Sequence, residues 1–290
     1  MKILFIYEYG TEVWSTPSSL MEEFKARDWE VDRFHLSKGD EKDIFKKNYD
    51  IIITMDWKGI DISEDAHYAL PLQTFKIREN GDTPQNFNAH VPLSDSYDLI
   101  LTPDYLSAER YKELGVDTVW FNHFADTRIH NTNRVHDNLP LVRSTRGPGG
   151  SQFMDALSRV IPNKFINKNG LTGIEYGIFL SSGKIVLQNS RWKEITRRIF
   201  EGMACGSLVL TDRLPDETNI KHLFKENENI VYYDNFSDCI SKINYYLCDD
   251  GRQERKRIAD NGYNTVLKNH TQVQRVDIII EKYKKWKHSK

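Results

Sequence analysis

The residues with the clearest chemical potential lie in RWKEITRRIFEGMACGSLVLTD, residues 191–212. At the 100° step of an α-helix, its charged side chains fall on one arc and its apolar side chains on the opposite side. Two pairs on that arc have i,i+4 spacing, Glu194 with Arg198 and Arg197 with Glu201. Such pairs are also typical of a solvated helix, where each contributes a few tenths of a kcal/mol. Helix geometry alone therefore leaves open whether this face is a site or a surface.

Cations are concentrated at the start of the same stretch. They are Arg191, Lys193, Arg197 and Arg198. Cations and helix-end amides aimed at a leaving group can stabilise its developing negative charge without a metal. The helix runs into Gly206, a typical helix C-terminal glycine, and then into a short apolar strand that ends at Asp212.

A second candidate for anion binding is the glycine-rich loop at residues 144–150, Ser-Thr-Arg-Gly-Pro-Gly-Gly. It follows a predicted strand, LPLV at 139–142, and precedes a predicted helix, where backbone amides can bind an anion. Arg146 adds a positive charge, and the backbone of Gly147, Gly149 and Gly150 would contribute the amides. Because the loop matches no strict fingerprint, a flexible turn is an equal alternative.

Asp82 is a candidate general base. It lies in ENGDTPQ, just beyond the carboxyl end of a predicted strand, where a carboxylate can take a proton from a hydroxyl. A purely turn-forming role is the alternative, since Asn-Gly-Asp strings often organise turns. His90, in a predicted polar loop at residues 85–95, is a rival base, and Asp56 at another strand end is a third candidate.

The elements that must position these residues alternate along the chain. Short apolar runs of the kind buried in parallel sheets, such as KILFIY, YDIIIT, YDLILT and KIVLQ, are separated by helical patterns. This alternation predicts an α/β fold with parallel sheets and helices on both faces. The polar segment 126–138 has no periodicity and is the predicted linker between two α/β halves.

Composition limits the function classes. The chain has 290 residues, 39% of them hydrophobic, which is enough for two domains with cores. A net charge of −2 gives no global basic field for nucleic acid. The three scattered cysteines form neither a disulfide framework nor a metal-ligand pattern, and no apolar stretch approaches the ~20 residues of a membrane span. These features predict a cytoplasmic protein without a membrane span.

The string Arg198-Ile-Phe-Glu201-Gly-Met-Ala-Cys-Gly206-Ser-Leu-Val resembles a signature of the GT-B glycosyltransferases, in particular the spore-maturation-protein-like group of the group 1 type. In that family a helix of the form R-x-F-E-x-x-A-x-G leads into an apolar strand. The resemblance implies two Rossmann-like domains, at residues 1–130 and 131–270. It also implies that the C-terminal helix, residues 271–290, packs back on the N-terminal domain.

The resemblance also implies roles for individual residues. The family's glutamate binds the ribose hydroxyls of the donor nucleotide, and by position it is Glu201. Arg198, Arg146 and the amides of residues 147–150 would then face the diphosphate. Many relatives carry a second glutamate eight positions before the first. This chain has Lys193 there, which departs from the family pattern and puts the role of that upstream acid in doubt.

The function implied is transfer of a sugar from a nucleoside-diphosphate sugar to an acceptor, with Asp82 or His90 as the base. The donor is a co-substrate, so no resident cofactor is expected, and without an Asp-x-Asp string no metal is expected. The acceptor stays open among glycan, protein, small molecule and modified DNA, as does the stereochemical outcome. Two alternatives remain: a nucleotide-sugar epimerase, and a non-catalytic coat or interaction protein that keeps the fold.

Overall fold

The chain forms two compact units. The computed structural model describes residues 1–8, 15–55, 61–81, 85–131, 141–145, 152–190 and 192–290. The first unit is Met1–Asn122 with Gln272–Lys290, and the second is His123–Thr271. Residues 123–130, assigned from the sequence to the end of the first domain, thus lie in the second unit. This segment is held by a residue from the other end of the second unit, because the Ala125 amide donates to the His270 carbonyl at 3.0 Å.

The first unit is built on a six-stranded parallel sheet with the order β2-β1-β3-β4-β5-β6. Its strands are β1 (Lys2–Tyr7), β2 (Glu30–His35), β3 (Ile51–Met55), β4 (Phe75–Glu79), β5 (Leu99–Thr102) and β6 (Thr118–Trp120). Its helices are α1 (Thr16–Lys25), α2 (Glu64–Ala69), α3 (Phe87–His90), α4 (Tyr105–Glu113) and, from the end of the chain, α11 (Gln272–Ser289). Strands β3 and β5 are fully buried, which is why their sequences are short, mostly apolar runs.

Helix α11 is part of the first unit's core. The ring of Phe75 in β4 lies 6.0 Å from that of Tyr283 and 5.4 Å from that of Trp286, centroid to centroid. The Trp286 indole N–H donates to Asp98 at 2.9 Å, and the Tyr283 hydroxyl donates to Asp50 at 3.1 Å. The last helix therefore completes the unit that contains the first strand.

The second unit has a five-stranded parallel sheet with the order β11-β10-β9-β7-β8. Its strands are β7 (Val142–Thr145), β8 (Phe165–Lys168), β9 (Ile185–Gln188), β10 (Leu208–Asp212) and β11 (Val231–Tyr233). Its helices are α5 (Gln152–Val160), α6 (Gly173–Ser181), α7 (Arg197–Ala204), α8 (Ile220–Leu223), α9 (Phe236–Leu247) and α10 (Arg252–Asn269). The predicted α/β class with parallel sheets is confirmed.

Strand β7 lies further along the chain than predicted. The sequence analysis placed it at residues 139–142 and started the glycine-rich loop at Ser144. In the structure Val142 pairs with Phe165 and Ser144 with Asn167, so the strand extends into the start of the predicted loop. Backbone pairing with β8 keeps Ser144 and Thr145 in the strand, although their polarity suggested a loop.

Helix α7 packs unusually close to its sheet. A Cβ atom at Gly202 would lie 2.8 Å from Val186 Cγ1 in β9 and 3.0 Å from Val209 Cγ2 in β10. Only glycine fits at this distance. The close approach fixes the height of the neighbouring Glu201 above the sheet.

Candidate functional site

Residues 192–196, directly before α7, are not helical. The sequence analysis placed Glu194 on the same helical arc as Glu201, but α7 begins at Arg197. The prediction was wrong because Asp212 binds Ser190 and Lys193, which precede α7. Its carboxylate accepts the Ser190 amide at 2.7 Å and the Lys193 ammonium at 2.8 Å. Lys193 is left-handed, with φ 55°, a conformation that cannot continue a helix.

Glu201 is the central acid of the site, and it is buried. Only 6% of the residue is exposed, although an i,i+4 pair of this type is usually solvated. Its Oε2 accepts the Tyr176 hydroxyl at 2.7 Å. Its Oε1 lies 3.0 Å from Arg197 Nε and 3.6 Å from His130 Nε2. Three separate segments of the second unit therefore contribute to one carboxylate.

The charge state of Glu201 follows from these neighbours. Burial alone would raise its pKa, but His130, Arg197 and the Tyr176 hydrogen bond together hold the pKa below its ordinary value. The carboxylate is therefore ionised at neutral pH. Burial lowers the pKa of His130, because a fully buried imidazolium loses its hydration.

His130 reaches the site through a short, well-anchored turn. The Asp126 carboxylate accepts both Nε and Nη2 of Arg128, at 2.8 and 2.7 Å, and the Asp126 carbonyl accepts the His130 amide at 2.7 Å. Neither ring nitrogen of His130 has a hydrogen-bond partner within the described part of the chain. The sequence analysis assigned His130 no role, because its spacing from other polar residues carries no signal.

Arg198, predicted to face a diphosphate, lies at the start of α7. Its guanidinium donates to the side chain of Gln188, at the carboxyl end of β9. Asn189 follows and donates to the Tyr233 hydroxyl at 2.8 Å, at the end of β11. Arg197 and Arg198 thus stand near the carboxyl edge of the sheet, where open α/β sheets bind ligands.

Several predicted residues lie outside the described part of the chain. They are Asp56, Asp82, Arg146, Gly147, Gly149, Gly150 and Arg191. Their roles stay predictions. Along the chain, Asp56 follows β3, Asp82 follows β4, and residues 146–150 lie between β7 and α5.

His90 is not a solvated loop residue. The sequence analysis placed it in a polar loop, but it ends α3 and is followed by a 3₁₀-helix, Val91–Ser96. The side chain is buried. The prediction of a loop was wrong because Phe87 packs into the core of the first unit and pulls the segment onto it.

The first unit also holds a buried polar network at the carboxyl end of β4. Arg78, whose side chain is 1% exposed, donates to Asp61 at 2.6 Å and to Asn80 at 2.9 Å. His67 Nε2 lies 3.4 Å from the same Asp61 oxygen, and its Nδ1 bonds the Tyr97 hydroxyl. Burial opposes ionisation of Asp61, but His67 and Arg78 outweigh it and lower its pKa to about 2.

Among the residues that the structure describes, no group of three or more His, Cys, Asp or Glu side chains has the arrangement of a metal site. No helix among them has the length and apolar character needed to cross a membrane.

Comparison with known proteins gives one family match and a set of similar folds. Residues 150–281 match the family model described as glycosyl transferase-like. No curated protein is significantly similar in sequence. A sucrose-phosphate synthase from Thermosynechococcus elongatus aligns over 100% of both chains, with 11% identity and a TM-score of 0.70.

Two further structures show the same architecture. Anabaena HepE, in complex with UDP and glucose, aligns over 97% of this chain and 98% of its own, with 14% identity and a TM-score of 0.67. A putative UDP-N-acetylglucosamine 2-epimerase from Listeria monocytogenes aligns over 100% and 97%, with 13% identity and a TM-score of 0.61. At these identities the likeness establishes the fold.

Proposed function

We propose that this chain, a glycosyltransferase with the GT-B fold whose residues 150–281 match the glycosyl transferase-like family model, transfers a sugar from a uridine diphosphate sugar. The predicted fold and enzyme class are confirmed; the spore-maturation-like subtype stays a prediction. Uridine is the favoured base because the similarly folded HepE was captured with UDP and with UDP-glucose.

The observation that carries the donor proposal is the buried carboxylate of Glu201. The two oxygens of one carboxylate offer about four acceptor positions. Tyr176 occupies one on Oε2, and Arg197 lies against Oε1. Two positions remain for hydroxyl donors, which suits the vicinal 2′- and 3′-hydroxyls of a ribose. The lowered pKa of Glu201 keeps both oxygens as acceptors at neutral pH.

The diphosphate is assigned to cations and amides. Arg198 stands in the first turn of α7, where its charge adds to the positive end of the helix. Arg146 and the amides of Gly147, Gly149 and Gly150 are proposed as further partners, because they lie between β7 and α5 along the chain. Asp82 or His90 is proposed to receive the acceptor's proton. Transfer is proposed to be independent of a metal ion.

Thermal unfolding with a panel of nucleoside diphosphates and their sugar conjugates, in EDTA, tests this function. A ligand at a hundredfold excess over Kd stabilises the folded state by about 2.7 kcal/mol. For domains of this size that corresponds to a midpoint shift of roughly 5–10 °C. We expect UDP to give most of this shift and one UDP-sugar to exceed UDP. Equal midpoint shifts, or none, with the diphosphates of uridine, guanosine, adenosine, cytidine and thymidine would refute the proposal.

Glu201→Gln serves as the site variant in the same assay. Loss of a charge-assisted contact costs about 1.5–3 kcal/mol, so UDP affinity should fall at least tenfold. Glu217→Gln, on an exposed turn of the same unit, is the control and should bind UDP normally. Restoration of binding by magnesium or manganese after EDTA has abolished it would contradict metal independence. Formation of an epimer without acceptor would instead favour the epimerase reaction.

A further inference from the structure

We propose that Tyr176 is a positioning residue for the donor nucleotide. Its hydroxyl holds Glu201 Oε2 away from Arg197 and keeps one acceptor position on each carboxylate oxygen turned toward the ribose. This inference rests on the proposed function and adds a residue that lies outside the glycosyltransferase-like string at residues 198–209.

The backbone of α6 is held against the site by Gly177. A Cβ atom at Gly177 would lie 2.1 Å from the Ile129 carbonyl oxygen, so only glycine allows this approach. On the other side, Cys205 Sγ at the end of α7 lies 3.8 Å from the Gly177 carbonyl oxygen. The neighbouring Tyr176 is therefore placed between the turn that carries His130 and the helix that carries Glu201.

The ring of Tyr176 is oriented by His130. The two rings meet edge to face, with centroids 5.7 Å apart and planes at 89°. His130 is fully buried and follows the Asp126–Arg128 turn, so its ring is held in one position. With its ring held in this way, Tyr176 points its hydroxyl at Glu201 Oε2, 2.7 Å away.

Without that hydroxyl, Glu201 has an alternative partner. An arginine guanidinium prefers to bind both oxygens of a carboxylate in a bidentate pair. Arg197 pairs with Oε1, at 3.0 Å, while its guanidinium carbon lies 5.3 Å from the centre of the Phe124 ring. Loss of the Tyr176 hydrogen bond would free Oε2 to rotate toward Arg197. Both oxygens would then be engaged, and fewer acceptor positions would remain for a diol.

Tyr176→Phe tests the proposal, because it removes one oxygen and keeps the ring that packs on His130. Affinities are measured by calorimetry for UDP and for 2′,3′-dideoxyuridine diphosphate, which lacks both hydroxyls. We expect about five- to tenfold weaker binding of UDP, the net scale of one ordinary hydrogen bond, because Tyr176 acts on the ribose only through Glu201. Binding of the dideoxy compound should change less than about twofold, since it cannot use the positioned oxygens.

Tyr245→Phe is the matched control. Tyr245 also donates to a glutamate, Glu254, at 2.8 Å, but it lies on the exposed surface of the same unit. Its substitution should leave both affinities unchanged. In a Glu201→Gln background, Tyr176→Phe should add less than about twofold to the loss, because the two residues act through one contact.

The outcomes separate the inference from the proposed function. If the wild type binds no nucleoside diphosphate, the proposed function fails. If it binds UDP in a Glu201-dependent way and Tyr176→Phe binds equally well, the positioning role alone is refuted. Equal losses for UDP and the dideoxy compound would also refute it, because they would indicate a general packing defect. Should Tyr176→Phe unfold, Tyr176→Met, which is also apolar and lacks a donor, is measured in its place with the same expectations for UDP and for the dideoxy compound.

Discussion

Acid should destabilise the first unit through Asp61, and Asp61→Asn isolates this effect. The carboxylate is 19% exposed, accepts Arg78 at 2.6 Å, and has its pKa lowered from 3.8 to about 2. Each pKa unit corresponds to about 1.4 kcal/mol, so the ionised form contributes roughly 2 kcal/mol to the free energy of unfolding at neutral pH. Because the pKa is lowered in the folded state, the ionised carboxylate stabilises the fold fully at pH values above the unfolded-state pKa of 3.8. This stabilisation is lost as the pH falls through about 2.

The difference in unfolding free energy between wild type and Asp61→Asn should therefore depend on pH. It should be constant above about pH 5, smaller by about 1 kcal/mol at pH 3, and smaller by about 2 kcal/mol at pH 2. A part that does not depend on pH will remain, because the substitution removes the negative charge that faces the fully buried Arg78 guanidinium.

Urea unfolding followed by tryptophan fluorescence is the assay. Five of the six tryptophans belong to the first unit, so the signal reports mainly on that unit even if the two units unfold separately. Asp95→Asn, on the exposed face of the 3₁₀-helix Val91–Ser96, is the control. Parallel pH profiles for wild type and Asp61→Asn would refute the reasoning, since Asp61 would then have no special coupling to Arg78.

Two other predictions concern Gly202 and Asp82. Gly202→Ala should lower the free energy of unfolding by about 1–3 kcal/mol in denaturant titrations, despite alanine's better helix propensity, because its Cβ would meet Val186. Val186→Ala in the same chain should recover part of this loss, and a neutral Gly202→Ala would disprove the close contact. In transfer assays Asp82→Asn should reduce kcat ~10²–10⁴-fold with little change in donor affinity. The same effect from His90→Ala alone would make His90 the base, and no effect from either would exclude both.

Several features could be predicted from the sequence because they depend on local patterns. Both sheets are parallel and buried on both faces, so their strands appear as short apolar runs separated by helical periods. Helix α9, Phe236–Leu247, is likewise marked by a local pattern, because an amphipathic period follows Asn235, whose side chain caps the helix by accepting the Asp238 amide. The resemblance around Glu201 also needed only a contiguous string.

Local patterns failed where distant residues compete for the same segment. The periodicity predicted that the helix includes Glu194. However, Asp212 binds the amide of Ser190 and the side chain of Lys193, and the helix begins only at Arg197. His90 looked solvated by composition, yet packing of the adjacent Phe87 buries it. In both cases a tertiary contact outweighs a weak local preference.

The environment of Glu201 was decided by tertiary structure alone. The sequence marked this acid and its i,i+4 partner Arg197, and by itself left open whether the pair was solvated. Tyr176 lies 25 residues away on another helix, and His130 lies in the turn at the start of the second unit. Neither spacing has a period that a helix or strand would impose. The glycine-allowed contact of α6 with Ile129 brings them together, and their interactions with Glu201 then orient the carboxylate and keep it ionised despite its burial.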